Sequence, residues 1–138
     1  KGSGSVDELN RRLKGIARDQ AAVIEEAFRL TFSVDRAKRN PGKAKTLLTP
    51  LLEGDHAATA HRILGYVAVS QGFDVAGAMK HYKAAAKLAP EYGEVHYALA
   101  FMYARDDLAT GRIHFDTAMK LGVPDIRGIA RFYPESAK

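Results

Sequence analysis

Apolar residues recur at intervals of three and four along most of this chain, the spacing of a single buried helix face. Ala60, Ile63, Leu64, Val67 and Ala68 form one such series, and Ala78, Met79, Tyr82, Ala85, Ala86 and Ala89 form the next. Val, Ile and Thr nowhere alternate with polar residues as they do in a half-buried strand. The pattern predicts an all-α fold. Between the two series lies SQGFD at 70–74, where Gly72 can supply the turn and Asp74 the N-cap of the second helix.

This helix pair recurs. Asp74 is followed at +4, +8 and +11 by Ala78, Tyr82 and Ala85. Asp107 is followed at the same offsets by Gly111, Phe115 and Ala118, and Asn40 by Ala44, Leu48 and Leu51. The caps are 34 and 33 residues apart. The preceding helices keep the same period, with a large residue before a small one at Leu30-Thr31, Leu64-Gly65 and Leu99-Ala100. Three helix-turn-helix units emerge, at about 24–57, 58–92 and 93–124.

These positions resemble the tetratricopeptide repeat, whose signature is W-x2-L-G-x2-Y followed by A-x3-F-x2-A-x4-P. The middle unit carries Leu64, Gly65, Ala78, Tyr82, Ala85 and Pro90 on signature positions, and the last unit Leu99, Ala100, Tyr103, Phe115 and Ala118. The first unit is the most divergent, and His61 and His96 stand where the signature has Trp. The resemblance implies a short α-solenoid of three hairpins with flanking N- and C-terminal helices.

Packing logic agrees with that picture. Small residues at Gly65, Ala78 and Ala85 allow two helix backbones to approach closely, while Tyr82 and Phe115 fill the wedge between hairpins. Pro90 ends its helix, and Pro41 suits a first helical position. Pro50 is the exception: it lies inside a helix predicted over 41–53 and should kink it.

The flanks have their own patterns. KGSGS at 1–5 has linker composition, and Ser5-Val-Asp-Glu8 fits a capping box. Residues 6–18 predict an amphipathic helix with Val6, Leu9, Leu13 and Ile16 on one face. It can cover the first hairpin, or continue as a coiled-coil seam through Gln20, Val23, Ala27, Leu30 and Val34 and make a homodimer. It can also occupy a groove, its own or a neighbour's. At the other end, residues 125–133 predict a short capping helix that uses Ile126, Ile129 and Phe132. The domain then spans 6–134.

For function, the resemblance implies non-catalytic protein–protein interaction through a concave surface lined by the first helix of each unit. Carried over position by position, that surface is Phe28, Arg29, Phe32, Arg62, Ile63, Tyr66, Tyr97, Ala98 and Phe101. It is an aromatic ladder edged by arginine, suited to an apolar or amphipathic, partly acidic peptide. The bland reading is that these aromatics are core. A chaperone-type carboxylate clamp is not expected, because Asn10 and Asn40, the two asparagines, both fall outside the groove.

Charge and composition change the picture little. The net charge is +5, and residues 1–43 hold 10 Lys/Arg against 6 Asp/Glu. The run at 35–45 places Arg36, Lys38, Arg39, Lys43 and Lys45 on the first interhelical turn. It is either a solvated loop or an anion-binding site, the alternative being an electrostatic binder of nucleic acid or an anionic surface. Absence of Cys excludes disulfides and thiolate chemistry. His61 and His96 share one repeat position and His81 and His114 another, without ligand spacing for a metal. No phosphate loop or nucleophile elbow is present, so neither enzyme activity nor a cofactor is expected. No apolar run approaches the ~20 residues of a membrane helix; a soluble chain is expected, with the compartment, cytoplasm or periplasm, left open.

Overall fold

The computed structural model describes residues 5–134, so four of the five linker-like residues lie outside the described ones. Within them there are seven α-helices and no strand: α1 (Val6–Leu13), α2 (Arg18–Phe32), α3 (Pro41–Leu48), α4 (Ala57–Gly72), α5 (Val75–Leu88), α6 (Gly93–Tyr103) and α7 (Leu108–Lys120). Short 3-10 turns lie at Arg36–Lys38, Thr49–Leu51 and Ile129–Phe132.

Local chemistry sets the helix starts. The side chains of Asn40, Asp74 and Asp107 accept hydrogen bonds from the backbone N–H groups of Lys43, Gly77 and Thr110, at 3.1, 2.9 and 3.1 Å. Each such cap satisfies a backbone N–H that the first helical turn leaves without an intrahelical partner. Ser5 caps α1 in the same way, accepting from the Glu8 N–H at 3.1 Å.

The helices pack as three hairpins, α2 with α3, α4 with α5 and α6 with α7. Successive hairpins touch through α2 and α3 against α4, and through α5 against α6. Every residue at +4 and +8 from the three caps is buried, as are Ala85 and Ala118 at +11, with Leu51 half-buried. Gly65 shows why a small residue is needed. A Cβ there would lie far inside van der Waals contact with the ring of Tyr82, and that ring is itself buried. Gly111 leaves space for the Tyr133 hydroxyl, which donates to the Ala100 carbonyl at 2.5 Å.

Several local expectations are corrected. The predicted helix 6–18 stops at Leu13, because Gly15 takes a φ of +79° before α2 begins at Arg18. The seam from Val6 to Val34 is therefore broken, and Val6 is 72% exposed. Gly72 does not make the α4–α5 turn; it ends α4, and Phe73 takes the left-handed conformation at φ +53°. Helix 41–53 is not kinked at Pro50 but ends at Leu48 and passes into a 3-10 turn. Segment 125–133 forms only the 3-10 turn Ile129–Phe132. Ile129 and Tyr133 are its buried residues, while Ile126 and Phe132 are exposed.

Nor does α1 pack only on the outer side of residues 24–57. Leu9 rests on the core shared by α2, α3 and α4, and the polar residues of α1 reach α4 and the start of α6.

Candidate functional site

The first helices of the three hairpins bring the aromatic ladder together. Phe28 and Phe32 on α2 lie 4.7 Å apart between ring centroids, and Phe32 lies 4.8 Å from Tyr66 on α4. Beyond Tyr66 opens a cavity of about 530 Å³. Its apolar walls come from Phe32, Tyr66, Tyr82, Tyr97 and Phe101, with Val123, Pro124, Ile126 and Arg127 along one side and Ser5, at the start of α1, on its margin.

Of the nine residues assigned to the groove, Phe32, Arg62, Tyr66, Tyr97, Ala98 and Phe101 line this cavity. The other three do not. Phe28 and Ile63 are buried in the core, so the bland reading holds for them, and in part for Phe32 and Tyr97, which border the cavity but are buried core residues too. Arg29 faces solvent, paired with Glu26 one helical turn earlier.

Arg62 departs most from its assignment as an edging arginine. It is 1% exposed and holds a carboxylate that is itself fully buried, Glu8 on α1. Nε and Nη2 of Arg62 donate to the two Glu8 oxygens at 2.8 and 3.0 Å. The Tyr92 hydroxyl donates to Glu8 Oε2 at 2.6 Å. Burial opposes charge on Arg62, but the Glu8 charge and hydrogen bonds outweigh it and hold the guanidinium more firmly protonated than usual. Tyr92 is pushed well above the ordinary phenol range, first by burial and then by the Glu8 charge.

Neighbouring contacts of α1 are polar too. Arg12 donates to Thr59 at 3.0 Å and lies over the Tyr92 ring at 4.1 Å, and Arg11 pairs with Glu94. Glu94 also lines the cavity.

The opposite wall is tied down by Asp125. Tyr97 donates to Asp125 Oδ1 at 2.7 Å, and the backbone N–H groups of Ile129 and Ala130 donate at 2.8 and 3.0 Å. Tyr97 is raised to about 12, first by burial and then by its bond to Asp125. Burial pushes the Asp125 carboxyl up, but these donors prevail and lower it. Arg127 lies 5.1 Å over Phe101 at the rim, with no carboxylate within ion-pair distance among the described residues.

Glu8, Tyr92 and Arg127 were missed by sequence reasoning. Glu8 had a signal, the capping box, but that motif aims the side chain back at its own helix. No local pattern marks Tyr92 or Arg127.

The basic residues at 36–45 form no cluster aimed at one point. Arg39 donates to the Ser33 carbonyl at 2.7 Å and Lys43 lies 3.9 Å from Glu26. Arg36, Lys38 and Lys45 are exposed. The histidines pair across the two helices of a hairpin, not along the repeat: His61 with His81, and His96 with His114, each with Nδ1 atoms 2.9 Å apart. Among the described residues no three His, Cys, Asp or Glu side chains converge as a metal site. No described helix is long and apolar enough to cross a membrane.

No known protein family, curated protein or solved structure matches this chain, so the functional reading rests on the site alone.

Proposed function

We propose that the three hairpins are tetratricopeptide-like repeats stacked as a short α-solenoid, and that the chain is a non-catalytic interaction module, a scaffold or adaptor for another protein. The observation that carries this reading is the apolar cavity of about 530 Å³ between α4, α6 and residues 123–127. That volume lies within the ~300–1,000 Å³ of ordinary ligand pockets. Phe101, 41% exposed, marks its mouth, and Arg127 over that ring supplies a cation at the rim. An amphipathic peptide with an apolar anchor and a nearby acidic residue matches both features.

Peptides selected by phage display against the full chain are expected to combine those two features. Phe101→Ala should weaken them at least tenfold, since burying an aromatic contributes about 1.5–3 kcal/mol. Lys38→Glu with Arg39→Glu should change little. If binding instead survives Phe101→Ala and Tyr66→Ala but is lost with the charge reversals, the groove reading is wrong and the electrostatic one replaces it.

A further inference from the structure

We infer that α1 is an internal, displaceable occupant of the partner surface, and that a partner takes its place by presenting a carboxylate to Arg62 where Glu8 now lies. This rests on the groove reading proposed above and adds its regulation and one element of partner chemistry.

Three observations carry it. The first is what α1 buries. A helix that only covers a core sinks its apolar residues deepest, yet here Val6 is exposed and Leu9 and Leu13 are only half-buried, while Glu8 is wholly buried. Its side-chain anchors are Glu8, Arg11 and Arg12, set on Arg62, Tyr92, Glu94 and Thr59. Leu9 adds apolar contact. Polar anchors of this kind select geometry more than they add stability. A buried ion pair roughly breaks even against desolvation, whereas leaving one partner buried alone is costly.

The second is the tether. Lys14 to Ala17 separate α1 from α2, and Gly15 sits at φ +79°, where only glycine is unstrained. Gly15 thus places a joint between α1 and α2, which keep only a small packed contact across it.

The third is position. Ser5, at the start of α1, borders the cavity, and Glu94 serves both the cavity wall and the Arg11 pair. A partner that fills the cavity and continues to Arg62 collides with α1. Once α1 leaves, Arg62 loses the Glu8 carboxylate, while its guanidinium still lies 5.0 Å over the Phe32 ring. A bidentate carboxylate is the group that fits that fork. Charge complementarity at Arg62 therefore gives the occupant: an amphipathic segment that presents a carboxylate there as Glu8 of residues 5–13 does.

Two measurements on the full chain test this. In the first, the probe is a fluorescein-labelled peptide of residues 5–17, followed by anisotropy. Wild-type protein should not bind it, because its own α1 competes at millimolar effective concentration or above. Glu8→Ala protein, with helix content confirmed by circular dichroism, should bind it. A probe carrying Glu8→Gln should bind that variant at least about tenfold more weakly. Equal binding to wild type and variant, or none to either, overturns the inference.

The second measurement leaves the Glu8–Arg62 contact in place. The chain has no Cys, so Arg12→Cys with Glu91→Cys, an ion pair across the edge of α1 whose Glu91 lies outside the cavity lining, can be bridged by a bismaleimide at one place. Bridging should abolish binding of the display-selected peptides, and the unbridged protein should retain it. Unchanged affinity after bridging leaves the groove reading intact and shows α1 to be structural. Covalent dimers in place of bridged monomers would mean that α1 is exchanged with a second copy, which overturns the intramolecular form. If the unbridged double variant and wild type both fail to bind selected peptides, the groove reading itself fails.

Discussion

Phe73 occupies a backbone conformation that costs a side chain about 1–2 kcal/mol, and its ring contributes nothing in return, being 85% exposed. Phe73→Gly removes that strain, less the extra chain entropy glycine loses on folding. A net stabilisation on the order of 0.5–1 kcal/mol is expected in urea denaturation. Gly65 is the opposite case. Gly65→Ala drives a methyl into the buried Tyr82 ring, and the cost of such overpacking is about 1–3 kcal/mol. A variant as stable as wild type would show that α4 and α5 do not approach as closely as described. The two residues also mark how far local signals reach. That position 65 must be small was legible from its match in three units. That Phe73, not Gly72, turns the chain was not legible, because turn signals rank glycine first and the true hinge depends on where α4 runs out of partners.

At the scale of the helix pair, the seams of two hairpins carry facing histidines. With Nδ1 atoms 2.9 Å apart, one ring donates and the other accepts, so a second proton sets two cations in contact. His61 is lowered by burial, His81 by burial and then by the His61 and Lys80 charges, and His114 by burial and then by His96. A folded-state value below the ordinary 6.5 means the unfolded chain binds protons first as pH falls. Stability is therefore complete above about 6.5 and declines as pH drops through the lowered values. Thermal melts between pH 7.5 and 5 should show this, and His81→Gln with His114→Gln should flatten the slope. An unchanged slope would place the titration elsewhere. The caps of α3, α5 and α7 were readable from Asn40, Asp74 and Asp107 because a cap acts within four residues. The histidine pairing was not, since it joins positions 20 and 18 residues apart.

For the molecule as a whole, the last hairpin depends on residues beyond its helices. Ile129 is fully buried and Tyr133 reaches the Ala100 carbonyl, so the C-terminal turn closes the core between α6 and α7. Ile129→Ala should cost about 2–5 kcal/mol. It should also weaken peptide binding, because residues 123–127 wall the cavity and Asp125 accepts from the Ile129 N–H. Stability lost with binding unchanged would separate the wall from the core.

Read residue by residue, the chain by itself determines the all-helical character, the three capped helix pairs and the small and large positions that let them meet. Those features depend on contacts a few residues apart or on a motif repeated three times. The partnership of Glu8 with Arg62 and Tyr92 lies beyond such reading, because it spans 54 and 84 residues. A carboxylate at a helix start is ordinarily a solvated cap. Here packing brings α1 across α4 and α6, takes Glu8 out of water and leaves a guanidinium as its compensation. Three-dimensional packing, and not sequence spacing, turned an expected edging arginine into the buried partner of Glu8.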